Sequence, residues 1–225
     1  MCFSATASFT AGACLLFAGA AAMNQSQSTP QKALSTIPVF FGLQQLSEGL
    51  LWMALTNPAY AQLERFATYT FLIFAQLVWP IVIPLSMYLF EEHRERKRVI
   101  KGLLITGVLT SLALGWGMWH YPVSTMVTSH HIEYRLDSPL SNRWFSGITY
   151  LAAAVVSPFF SSIKPLRFVG LFLLLSYIAS RLFYFTYLIS VWCFFAAILS
   201  VLIIVIIRRL RTTEQTALVP EAPVI

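Results

Sequence analysis

Seven apolar runs, each close to twenty residues long, dominate this chain, at 4–23, 34–55, 67–90, 99–119, 144–162, 166–184 and 189–207. An α-helix rises about 1.5 Å per residue, so about 20 residues cross a hydrocarbon layer about 30 Å thick. A soluble globule cannot hide seven such runs in 225 residues with only 11% charged side chains, against about 25% in a soluble domain. Hydrophobic residues make up 57% of the chain, and the mean hydropathy is +0.70. The pattern predicts an all-α integral membrane protein: a seven-helix transmembrane bundle over residues 1–211, followed by a disordered tail over 212–225. The lipid bilayer is the first partner implied. Only a few residues part the last two runs, so they are expected to form a tight helical hairpin. The longest connection, 120–143, is read as a loop.

Basic residues set the orientation. With the N-terminus outside, the cytoplasmic segments carry eleven: Lys32, Arg94, Arg96, Lys97, Arg98, Lys101, Lys164, Arg167, Arg208, Arg209 and Arg211; the outer segments carry three, Arg65, Arg135 and Arg143. Cytoplasmic loops of membrane proteins hold the excess of Lys and Arg, so the expected topology is N-terminus outside and C-terminus cytoplasmic, in a bacterial inner membrane. The formal charge of +6 therefore does not point to nucleic acid. Its bases lie between apolar runs and form no stripe interleaved with exposed aromatics. Three cysteines, Cys2, Cys14 and Cys193, are too few and too scattered for a disulfide framework.

Four charges fall inside the runs; Lys101 and Arg167 stand at the cytoplasmic ends of theirs, which leaves Glu48 and Arg181. A charge in the bilayer costs about 2.5–3.5 kcal/mol on insertion scales and faces protein or water. Both map to the outer halves of their spans, which pairs them. Residues Gln44, Glu48 and Trp52 lie four apart on one helical face, with Gln45 beside them. Gln76 reaches a similar depth on the third span, just before Trp79-Pro80 and Pro84. Prolines free carbonyls one turn earlier and kink helices, so a gap is expected beside Gln76. Tyr150, Ser176, Tyr177, Ser180 and Cys193 also map to outer halves. The polar groups thus imply a cavity open to the outside. Gln44, Gln45, Trp52, Gln76, Tyr150, Tyr177 and Arg181 would bind a small polar or amphiphilic molecule there, and Glu48 is the candidate catalytic base.

The outer connection holds His120, His130 and His131, with Glu133 close by. Neutral imidazole is a common metal ligand, so His120, His130, His131, Glu133 and Cys2 form a candidate zinc or copper site. Three function classes stay open on these residues. One is a metal-dependent hydrolase, one a non-enzymatic receptor or transporter, and one a structural subunit of a membrane complex. The metal reading competes with a solvated loop whose histidines sit at the interface. The Glu48 reading competes with a structural ion pair supported by glutamine hydrogen bonds.

The opening Met1-Cys2-Phe3-Ser4-Ala5-Thr6-Ala7-Ser8-Phe9, the segment Phe41-Gly42-Leu43-Gln44-Gln45-Leu46-Ser47-Glu48-Gly49, and Ser190-Val191-Trp192-Cys193-Phe194-Phe195-Ala196-Ala197 resemble an uncharacterised family of small bacterial polytopic membrane proteins. The resemblance spans nearly the whole chain. It implies a multi-span membrane protein and supplies no reaction.

Overall fold

The computed structural model describes residues 4–128, 131–139 and 144–218. The chain is mostly helical. Helix α1 is Ala5–Gln25 and α2 is Thr29–Thr56. A continuous helical segment, Pro58–Phe90, begins with a 3-10 stretch and continues as α3, Glu64–Leu72, a π-helical segment, Ile73–Val78, and α4, Trp79–Phe90. Helix α5 is Arg94–His120. After a long connection come α6, Trp144–Leu151, a second π-helical segment, Ala152–Val156, and a 3-10 turn, Ser157–Phe160. Helix α7 is Lys164–Phe183 and α8 is Leu188–Leu218. The last helix therefore continues beyond Arg211, where the sequence places the end of the bundle.

Five of these segments are long and apolar enough to cross a membrane: Ala5–Gln25, Pro58–Phe90, Arg94–His120, Lys164–Phe183 and Leu188–Arg209. The other two apolar runs also fold as helices, but differently. Helix α2 is 28 residues long and is diluted by Gln31, Lys32, Gln44, Gln45 and Glu48. Trp144–Phe160 is shorter. Large apolar side chains such as Phe17, Leu109, Leu112 and Val201 are exposed, as expected of surfaces that face lipid rather than water.

Local sequence explains where the helices start and how closely they pack. Ser4 Oγ accepts from Ala7 N–H at 3.2 Å, and Ser28 Oγ accepts from Gln31 N–H at 3.4 Å. Both are serine N-caps satisfying free first-turn donors. Helices α1 and α2 then pack antiparallel on small residues. A Cβ on Gly12 would lie 3.0 Å from the Gly42 carbonyl, and one on Gly19 would lie 2.9 Å from the Val39 nitrogen. Small residues allow such backbone approach in apolar bundles.

The connections fall alternately at two ends. At one end Ser26 and Ser35 share a hydroxyl hydrogen bond of 2.7 Å, and Glu91 joins the 91–93 turn to the 161–163 turn. Its Oε1 accepts from Ser162 Oγ at 2.5 Å and His93 N–H at 3.0 Å, and its Oε2 accepts from Ser162 N–H at 2.7 Å. Burial by itself would raise the Glu91 pKa, but the Ser162 hydroxyl, the His93 and Ser162 N–H groups and the Arg96 charge outweigh it and hold the carboxyl below its ordinary value.

At the other end the connection between α5 and the next helix is not a bare loop. Strands β1, Val123–Thr128, and β2, His131–Leu136, pair antiparallel, with Val123 opposite Leu136 and Thr128 opposite His131. This corrects the purely α-helical expectation. Residues alternate along β2: Ile132 and Tyr134 are buried, whereas Arg135 is exposed. Alternation is what a half-buried strand requires. Tyr134 stacks on Phe71 with ring centroids 4.7 Å apart, and Thr125 Oγ1 donates to Glu64 Oε1 at 3.0 Å. The hairpin is thereby pinned over the end of the bundle.

Candidate functional site

Under the hairpin lies a chamber of about 300 Å³ whose lining includes Gln76, Tyr134, Tyr150, Tyr177, Trp192 and Cys193. A wider vestibule of about 820 Å³ adjoins it, and Tyr134, Leu136, Tyr177 and Ile189 line both. Arg181, Glu133, Arg135 and Asp137 give the vestibule its charge. The two volumes descend from a charged rim to an aromatic interior, and the lower one is of ligand-pocket size.

The first π-helical segment shapes this chamber, and both π-helical segments precede a proline. In the π pattern each N–H bonds the carbonyl five residues back; Trp79 N–H, for example, bonds Phe74 O. Pro80 has no N–H to offer Ala75. Tyr150 supplies the missing donor, its hydroxyl bonding Ala75 O at 2.6 Å. The same substitution occurs at Pro158, whose fifth predecessor is Ala153. Ser157 Oγ donates to Ala153 O at 2.7 Å. Ser111 Oγ donates to Leu77 O at 2.8 Å. The bulge at 73–78 places Ala75 and Gln76 on the chamber wall.

Among the sequence-predicted ligand residues, Gln76, Tyr150 and Tyr177 line the chamber, and Tyr177 and Arg181 line the vestibule. Gln76 is 8% exposed, and its Oε1 has no hydrogen-bond partner among the described residues. Gln44 lies behind the wall, its Oε1 accepting from Trp79 Nε1 at 2.8 Å. Gln45 is fully buried with neither amide atom hydrogen-bonded among the described residues, and Trp52 Nε1 is likewise buried without an acceptor. Gln44, Gln45 and Trp52 belong to α2, whose side chains are not part of the chamber lining.

Glu48, the candidate base, is fully buried, and its Oε1 accepts from Ser190 Oγ at 2.6 Å. Ser190 and Cys193 stand one turn apart on α8, so the carboxyl sits behind the wall that Cys193 completes. Arg181 lies on the vestibule. Residues missed by sequence reasoning are Ser190, Trp192 and Tyr134. The Ser190–Cys193 spacing of one helical turn was the available signal for the first. Trp192 is held by its Nε1, which donates to Ser176 Oγ at 3.2 Å.

The proposed metal ligands are not brought together. His120 stacks on Trp116 at 3.6 Å, with its Nδ1 3.0 Å from the Trp116 carbonyl, at the base of the hairpin. His131 pairs with Thr128 at the far end of the strands, roughly 16 Å along them at about 3.3 Å per residue. There it stacks on Tyr187 at 4.8 Å. Glu133 accepts from Arg135 Nε at 2.7 Å. Cys2 and His130 lie outside the described residues. Among the described residues, no three His, Cys, Asp or Glu side chains converge as a metal site requires. The zinc or copper expectation therefore has no geometric support.

The class that fold and site define is a mostly helical protein with several helices of membrane-crossing length and an aromatic chamber closed by a β-hairpin at one end. The chain belongs to the family described as Family of unknown function (DUF6629), whose model matches residues 1–218. No curated protein and no solved structure matches it.

Proposed function

We propose that this chain is a seven-span inner-membrane protein, N-terminus outside and C-terminus cytoplasmic, whose outward-facing chamber binds a small amphiphilic molecule as a receptor or transporter would. The chamber itself, an aromatic wall that includes the Gln76 amide beneath a charged rim, carries the reading. A concave, mostly apolar pocket with a few polar groups in its wall is the form small-molecule sites take. Basic residues supply the topology, since the excess lies at the end opposite the hairpin.

Binding is favoured over hydrolysis because of where Glu48 sits. A general base must reach the proton it removes. Glu48 lies behind Cys193 and is engaged by Ser190, so it polarises the wall rather than touching the chamber contents. The test is accessibility and protection in intact cells. Ser146, a chamber-lining residue, is changed to Cys in a chain lacking the native cysteines. A membrane-impermeant maleimide added outside should label it. Hexan-1-ol, hexanoate and hexyltrimethylammonium are then added in turn. At least one should slow labelling saturably, without slowing Ser124→Cys on the exposed hairpin. Labelling only after permeabilisation, or protection by none of the three, would refute the reading.

A further inference from the structure

We infer that the chamber is a cage for a substituted ammonium group, so that the amphiphile it takes is an organic cation; this rests on the binding reading above and names its ligand class. Four aromatic side chains, Tyr134, Tyr150, Tyr177 and Trp192, line one cavity. They do not spend their faces on one another in parallel stacks. Tyr150 meets Trp192 at 5.7 Å and 61°, and Tyr177 meets it at 5.4 Å and 72°. Rings held at steep angles form the walls of a box, with π surface left to face a guest. Two of the walls are fixed from behind, Tyr150 by Ala75 O and Trp192 by Ser176, and Tyr134 is fixed by its stack on Phe71. Walls fixed beforehand reduce the ordering cost of binding.

The charge pattern agrees. No Lys, Arg or His is among the chamber-lining residues described. Gln76 contributes only a neutral amide to the lining, so no fixed positive charge in the wall opposes a cation. Behind Cys193, one turn earlier on α8, Ser190 holds the Glu48 carboxyl. A cation over an aromatic face gains about 0.5–1 kcal/mol at exposed sites and about 2 when desolvated, and aromatic cages are how proteins recognise quaternary ammonium groups. At the rim Arg135 is occupied by Glu133, and Asp137 completes a vestibule of two acids and two bases. The selectivity therefore resides in the chamber rather than at its mouth.

The experiment compares choline with its neutral isostere 3,3-dimethylbutan-1-ol on the full-length protein in lipid nanodiscs, by calorimetry. Choline should bind at least about tenfold more tightly, the factor that one desolvated cation–aromatic contact gives. Tyr177→Leu should remove about that factor, and Tyr177→Phe, which keeps the ring, should restore most of it. Equal affinity for the two probes, or no binding of either, would overturn the cation assignment. So would an unchanged choline affinity in Tyr177→Leu. These results are distinct from failure of the binding reading, which shows as an unlabelled or unprotected Ser146→Cys.

Discussion

Glu91 is the residue whose chemistry is best defined. It is buried at 1% exposure and joins two turns through three hydrogen bonds. Its folded pKa lies below the ordinary 4.5, so the folded state prefers the ionised form. That preference contributes stability at pH above the unfolded value, and it is lost as pH falls through the folded value. Thermal melting of purified protein should therefore drop as pH is lowered from about 6 to about 3. Glu91→Gln should melt lower than wild type at neutral pH and show a shallower acid slope. An equal slope in the two proteins would show that Glu91 is not the group responsible. In the sequence Glu91 stands just before the basic cluster that begins at Arg94, with no hint of this clamp, because Ser162 lies 71 positions away. The Ser190–Glu48 contact, across 142 positions, was hidden for the same reason. What could be read at Glu48 was its cost in lipid, which made it a site candidate before any partner was known.

At the scale of elements, prolines and glycines account for the departures from plain helix. Pro84 removes the donor that Pro80 O would use one turn earlier, and α5 comes down onto that carbonyl at Gly107. A Cβ there would stand 1.8 Å from Pro80 O, whereas one on Gly102 of the same helix meets nothing within 4 Å. Gly107→Ala should cost about 3 kcal/mol or prevent folding, as overpacking against backbone does. Gly102→Ala should be neutral or gain up to about 1 kcal/mol through helix propensity. Comparing the two melting temperatures in detergent checks this, and equal values would contradict the close approach of α4 and α5. That the helix departs from regular form near Pro80 was legible in the sequence, since a missing N–H is a local fact. Its π form was not, because it depends on Tyr150 arriving from another segment. The hairpin was overlooked although Val123-Ser124-Thr125-Met126-Val127-Thr128 is rich in strand formers. Its length and position between two spans favoured reading it as a loop, and its burial against Phe71 is a tertiary event.

For the whole molecule, the seven apolar runs fold among the described residues as seven helical segments, five of them long and apolar enough to cross a membrane, with connections that alternate between two ends. The proposal that the hairpin end faces outward rests on where the basic residues lie. The most direct measurement is a reporter series, one fused after Arg98, one inserted between Ser124 and Asp137, and one fused after Arg211. The first and last should read cytoplasmic and the middle one external. An external tail, or a cytoplasmic hairpin, would contradict both the seven-span topology and an outward-facing chamber.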